Sequence, residues 1–302
     1  MKRLFTASAQ FVRGFCMGAA DLVPGVSGGT VALVLGIYEQ LVATVREGAV
    51  ALASLLKLDA TSGFGRLARL DWAFLLPLLA GIGTAVVALS HTIDRLLDEE
   101  PVNIAAFFFG LVVASIVVAW TLLRRRDATR LAVLAASAAV TFVVLGWRGD
   151  RLSDPELWFV LLAGSLAICA MILPGISGSF ILLMIGMYDY VLDAVNERDL
   201  LVIAVFAVGC VAGLATFASL LDWLLRHHHD TVLAGLVGLM VGSLRVVWPW
   251  PDGTDGTQVT GPGGGSVVVP ALLALIGAVL VLGLAGLSMV GPGRAGGARR
   301  AS

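Results

Sequence analysis

Two short stretches, VPGVSGGT at residues 23–30 and LPGISGSF at 173–180, gather the groups in this chain best suited to hold an anion. Each places a Pro-Gly turn inside apolar sequence, so a helix has to restart after it. The restart presents backbone N–H groups around Ser27 to Thr30 and around Ser177 to Phe180, where the helix dipole also favours negative charge. Pro24 and Pro174 make the turn. Gly25, Gly28, Gly29, Gly175 and Gly178 let a ligand approach the backbone, and Ser27, Thr30, Ser177 and Ser179 add hydroxyl donors. One such motif reads equally well as a tight turn; a matched pair favours a site.

Ionisable residues in apolar surroundings form the second group. Arg13 lies in the run before the first break and Arg245 lies in GLMVGSLRVVW. An arginine at membrane depth usually has a partner or a task. Neither has a basic counterpart in the other half, where Ala163 and Val117 stand, which suggests recruitment for one charged ligand. The plainer readings are that Arg245 snorkels outward beside Trp248 and Trp250, and that Arg13 snorkels inward or pairs with Asp21. Asp21, matched by Met171, is placed to carry a coupling proton or steady an arginine. Glu39 and Asp189 are equivalent, following GIY and GMY, and suit either a titrating gate or an interfacial cap.

Other polar features read as scaffold or surface. RHHHD at 226–230 reads as a solvated loop, and the role of His91 is open. Cys16, Cys169 and Cys210 stand singly, as packing residues. Residues 46–71, with Arg46, Lys57, Arg66 and Arg69, read as an amphipathic surface loop favouring anionic headgroups. DGTDGTQVTGPGGGS lacks the strand and helix of a phosphate loop. No metal site, cofactor or nucleic-acid partner is expected.

The elements that must position these residues follow from composition. With 58% hydrophobic residues, 14% charged and a mean hydropathy of +0.94, the chain fits an all-α integral membrane protein and not a soluble domain. The first twenty residues imitate a signal peptide, but Arg13 interrupts its apolar part, so the segment is expected to stay. Uninterrupted spans are expected near 72–97, 102–123, 130–146, 200–225, 231–248 and 268–290. The runs at 5–45 and 156–195 are too long for one crossing, and each is broken.

A slide of 150 residues lays 18–45 on 168–195 with 9 identities in 28, and a slide of 128 lays 81–120 on 209–248 with 11 in 40. The chain is therefore expected to be a single transmembrane domain over 1–302. Repeat one is 5–123, a linking helix is 130–146, and repeat two is 156–248; a flexible outer loop at 249–267 and a C-terminal helix at 268–290 follow. If each broken segment turns back as a hairpin, 14 of the 20 basic residues share one side with both termini, the cytoplasmic side, and only Arg95, Arg148, Arg151 and Arg198 face the other. Three crossings then separate the hairpins, so the repeats are inverted, an architecture of secondary transporters. Re-entrant loops and full spanning pairs both preserve that parity.

RGFCMGAADLVPGVSGGTVALVLGIYEQL, ILPGISGSFILLMIGMYDYVLDAV and GLVGLMVGSLRVVWPW together resemble the bacterial and archaeal membrane family long catalogued as domain of unknown function 368, over about residues 10 to 290. Members are regarded as polyprenyl-phosphate transporters. The resemblance implies a flippase for undecaprenyl phosphate or a related carrier lipid, with phosphate-facing candidates at Pro24 to Thr30, Pro174 to Ser179, Arg13 and Arg245. Proton coupling through Asp21, Glu39 or Asp189 is a further expectation. SGSF in place of SGGT leaves the two loops free to contact the phosphate unequally. The alternative is a small-anion channel or exchanger using the same paired helix N-termini. A lipid phosphatase is disfavoured because the four histidines, His91 and the 227–229 trio, lie away from the breaks.

Overall fold

The computed structural model describes residues 2–290 apart from 58, 148, 153, 252, 254–257, 264 and 265. Arg148 and parts of the 249–267 loop therefore lie outside the described residues, as do residues 291–302. Among the described residues all regular structure is helical: α1 (Lys2–Asp21), α2 (Gly28–Val34), α3 (Tyr38–Leu56), α4 (Ala60–Ala68), α5 (Trp72–Glu99), α6 (Pro101–Leu122), α7 (Ala128–Val144), α8 (Leu157–Ile172), α9 (Gly178–Met184), α10 (Tyr188–Glu197), α11 (Leu200–His227), α12 (His229–Ser243) and α13 (Val268–Val290). Local chemistry sets many ends. Asp71, Asp127 and Asp199 cap α5, α7 and α11 through their carboxylates, and Pro101 opens α6, where a missing N–H does no harm.

Helices α5, α6, α11 and α13 are long and apolar enough to cross a membrane, and the chain is a multi-pass membrane protein. One expected span comes out shorter and one shifted. Helix α12 has only 15 residues, because the chain after Ser243 leaves the helix to turn through Leu244–Val247, and α7 keeps the expected 17 residues two positions earlier. The segment 46–71 is not a loop: α3 runs through Leu56, with Ala49 and Ala51 buried, and α4 follows after a short turn.

The two halves pack alike. Gly14 of α1 meets Leu78 of α5 and Gly18 meets Ile82, so the two helices run parallel. Leu161 meets Gly209 and Ser165 meets Gly213, which makes α8 and α11 parallel as well. Without a Cβ these glycines let backbones touch, which is how helices gain packing in lipid. Replacing Gly81 by Leu would drive its Cβ into the Phe11 carbonyl. The expected loss is at the upper end of the roughly 1–3 kcal/mol typical of overpacking, read as a lower melting temperature in detergent. A Gly81→Leu protein melting like wild type would refute this packing.

Loops sort to two ends. At the first end His229 Nε2 pairs with Glu39 (2.9 Å), the Arg124 N–H donates to Asp230, and Gln40 reaches Asp71. At the second end Arg151 pairs with Asp189 (2.9 Å), and the Gly149 and Leu152 N–H groups donate to Met184 and Gly186. Helix α5 starts at the first end, whereas α11 finishes there. The aligned helices thus run in opposite directions.

Two further features were not anticipated. Helix α13 packs on α6 as α7 packs on α12: Gly110 sits against Ala274, and its aligned partner Gly238 sits against Leu134 and Ser137. The linking and C-terminal helices therefore occupy equivalent places. Asp222 of α11, buried, bridges Arg226 (3.1 Å) and Arg46 of α3 (3.4 Å), joining the halves through charge.

Candidate functional site

Each Pro-Gly pair forms the same turn. The Val26 N–H donates to Val23 and the Ile176 N–H donates to Leu173, while Gly25 and Gly175 take φ +82° and +86°, the left-handed conformation that the third residue of a type II turn requires. A seven-residue helix follows in each case, then Gly36 or Gly186 at φ +69° or +73° and a second turn. Helices α9 and α10 meet at a bend of 110°.

The breaks interlock at the centre of the protein. Ser27 Oγ donates to the carbonyl of Leu173 (3.2 Å) and lies 3.5 Å from that of Met171; the Gly175 N–H donates to Thr30 Oγ1 (2.9 Å), and the Tyr38 hydroxyl donates to Ile172 (3.1 Å). The carbonyls used are those that end α8 without an intrahelical partner, so the first break satisfies groups that the second exposes. Ser27 and Thr30 are almost fully buried. The stretch 240–247 closes over both turns: Val246 touches Gly25, while Met240 and Ser243 touch Gly175.

The N-termini of α2 and α9 differ in a way that decides what each can bind. At α2 the Gly28 N–H donates to the Asp21 carboxylate and the Gly29 N–H donates to Ser27 Oγ. The N–H groups expected to be free are thus already served by a carboxylate from the chain itself. Asp21 does not pair with Arg13, whose guanidinium bonds Gln10 (3.3 Å). At α9 the place corresponding to Asp21 is taken by Met171, whose side chain lies over Gly178 as the Asp21 carboxylate lies over Gly28. Ser177 makes no cap there, pairing instead with the Ser179 hydroxyl (2.8 Å), and Ser179 is exposed.

The arginines are not drawn into the breaks. Arg13 precedes Pro24 by eleven residues, mostly helical, about 16 Å of rise at most. Arg245 has its backbone beside both turns but sends its guanidinium to the end of α7, bonding the Phe142 carbonyl (3.3 Å) and lying 4.7 Å over its ring. A cation suits the carbonyl end of a helix. Glu39 and Asp189 sit at opposite ends, paired with His229 and Arg151. Glu39, Tyr38, Arg124 and His229 line a cavity of about 580 Å³ at the first end, leading towards the breaks. Sequence reasoning missed Tyr38 as a cross-link and His229 as a partner; the GIY/GMY repeat was the available signal for the first.

The arrangement offers hydroxyls, one uncapped helix start and no nucleophile–base pair at the breaks. Comparison with known proteins agrees with that chemistry. A protein of Vibrio cholerae serotype O1 (strain ATCC 39315 / El Tor Inaba N16961) named polyprenyl-phosphate transporter is 42% identical over 245 residues, 80% of this chain and 78% of that one. One of Staphylococcus aureus (strain NCTC 8325 / PS 47) with the same name is 32% identical over 256 residues, 79% of this chain and 85% of the other. No solved structure matches. The model of the family described as VCA0040-like, undecaprenyl phosphate translocase-like, matches residues 17–261, which hold both breaks and the stretch over them, and the chain belongs to that family.

Proposed function

We propose that this chain is a flippase that moves undecaprenyl phosphate or a related polyprenyl phosphate across the cytoplasmic membrane, with both termini in the cytoplasm. The observation that carries the reading is the interlock of two matched breaks in the middle of an apolar helical protein. Irregular backbone at that depth is tolerated where it lines a site. The phosphate is held on the side of the second break, by the hydroxyls of Ser177 and Ser179 with the backbone N–H of Gly178, because Asp21 already fills the matching place beside Gly28, Gly29 and Pro24; Gly175, whose N–H is spent on Thr30, shapes the turn. Pro174 sets that turn. Arg13 and Arg245 act at longer range, raising the local concentration of the anion.

Alternating access follows from the inverted halves. Glu39 with His229 flanks the opening at the first end, and Asp189 with Arg151 ties the second. Proton coupling enters through Asp21: protonation weakens its hold on α2 and frees a second anion-binding helix end for the phosphate to cross to. The protein acts as a carrier, without a bond-breaking step.

The test is leaflet exposure of undecaprenyl phosphate in proteoliposomes, with and without a pH gradient. Replacing Ser177 and Ser179 together by Ala removes two hydrogen bonds to a charged group, and the rate should fall by at least about tenfold, since each such bond contributes roughly 1.5–3 kcal/mol. Chloride flux without lipid movement by folded wild type would replace this reading with the small-anion exchanger.

A further inference from the structure

Beside the first break lies an apolar cavity of about 200 Å³. Cys16 and Ala20 of α1, Val34 of α2, Phe108 and Leu111 of α6 and Leu284 of α13 form its wall. Its one polar side chain, Ser115, is spent on the Leu111 carbonyl (2.8 Å), so nothing in the lining asks for water. Apolar cavities of about 150 Å³ stay dry and accept apolar guests. The wall is buried for most of its extent, while Leu280 at the rim is exposed on the lipid-facing side of α13, which gives a guest a way in from the bilayer. Helix α2 connects this space with the second break: Val31, in the cavity wall, adjoins Thr30, whose Oγ1 accepts from the Gly175 N–H (2.9 Å). A phosphate at the breaks with a hydrocarbon chain attached therefore has its first isoprene units within reach of the cavity.

We infer that this cavity is the binding site for the phosphate-proximal isoprene units of the transported lipid, entered sideways between α1 and α13, which line it without packing on each other as α6 and α13 do. The inference rests on the proposed lipid-phosphate reading. It assigns to the first half the apolar part of recognition while the second half holds the charge. Recognition of the chain then adds to that of the headgroup, and a soluble anion lacks it.

Two measurements test the site. In a Cys169→Ala/Cys210→Ala background, Cys16 reports on the cavity through its reaction with a small apolar maleimide. Undecaprenyl phosphate should slow labelling at least about fivefold, and inorganic phosphate should not. Equal protection by phosphatidic acid, or none by undecaprenyl phosphate, would overturn the inference. Leu284→Trp, which fills the space from α13 at a distance from the breaks, should slow undecaprenyl phosphate flipping about tenfold or more while methyl phosphate, which carries no isoprene unit, still competes as in wild type. Unchanged flipping by Leu284→Trp would also count against the site. If wild type itself moves no lipid phosphate, the functional reading fails; if wild type moves it and Cys16 stays unprotected, the tail site alone fails.

Discussion

Met171→Asp is expected to abolish lipid-phosphate movement in a protein that still folds. Met171 is 49% exposed, so the exchange removes little core packing. Its side chain lies over Gly178 as the Asp21 carboxylate lies over Gly28, so an aspartate there would reach the α9 N-terminus and reproduce at the second break what the first already has. A phosphate arriving at Ser177 and Ser179 would then meet a fixed negative charge. At about 4 Å and an effective dielectric near 20, that repulsion is about 4 kcal/mol, or roughly three orders of magnitude in affinity. Binding of undecaprenyl phosphate, flipping rate and melting temperature should be read together. Retained binding in a folded Met171→Asp protein would remove the second break from the phosphate site. The reciprocal Asp21→Met leaves the Gly28 N–H without its acceptor and should lose about 1–3 kcal/mol of stability.

Gly175→Ala should severely damage the second break. Two penalties meet there: φ of +86°, which disfavours any side chain, and a Cβ that would stand 2.8 Å from Ser243 Oγ and 2.9 Å from Met240 Cα. The torsion costs about 1–2 kcal/mol and the crowding roughly 1–3 kcal/mol more. Gly25→Ala, at +82° with its Cβ pressed on Val246, should follow closely. Gly36→Ala separates the two causes, because its φ is +69° but a Cβ there meets nothing within 4 Å. The expected order of melting temperatures in detergent is Gly36→Ala above Gly25→Ala above Gly175→Ala, with flipping lost in the last two. A Gly36→Ala protein as unstable as Gly175→Ala would mean that torsion alone governs the turns and that the 240–247 stretch does not press on them.

Much of this arrangement is written in punctuation. Proline and glycine at 24, 25, 174 and 175 break apolar runs, and Gly36 and Gly186 repeat the break one short helix later, so both broken segments could be placed from the order of residues alone. The long spans were legible because length and hydropathy suffice for them. What escaped depends on partners far away in sequence. Ser27 and Leu173 are separated by 146 residues, and nothing near either names the other. Asp21 read as a proton carrier or an arginine partner because its place over α2 arises only when the chain folds back. Arg245 was credited with a direct role at the phosphate, yet Phe142, 103 residues earlier, holds its side chain. The equivalence of α7 and α13 was invisible because generic apolar helices carry no marks to align.

The bridge of Asp222 to Arg46 and Arg226 has a mechanical meaning. Helices α3 and α11 belong to different halves, and their contact carries a charged link well away from the breaks. A buried carboxylate that lost its guanidinium partners would be strongly destabilised, so this point resists separation. Any relative rotation of the halves is restrained at the Asp222 tie as well as at the interlocked breaks. The tie thus works as a clamp on the edge of the bundle: changing Arg46 or Arg226 loosens the fit of one half on the other without altering any residue of the breaks.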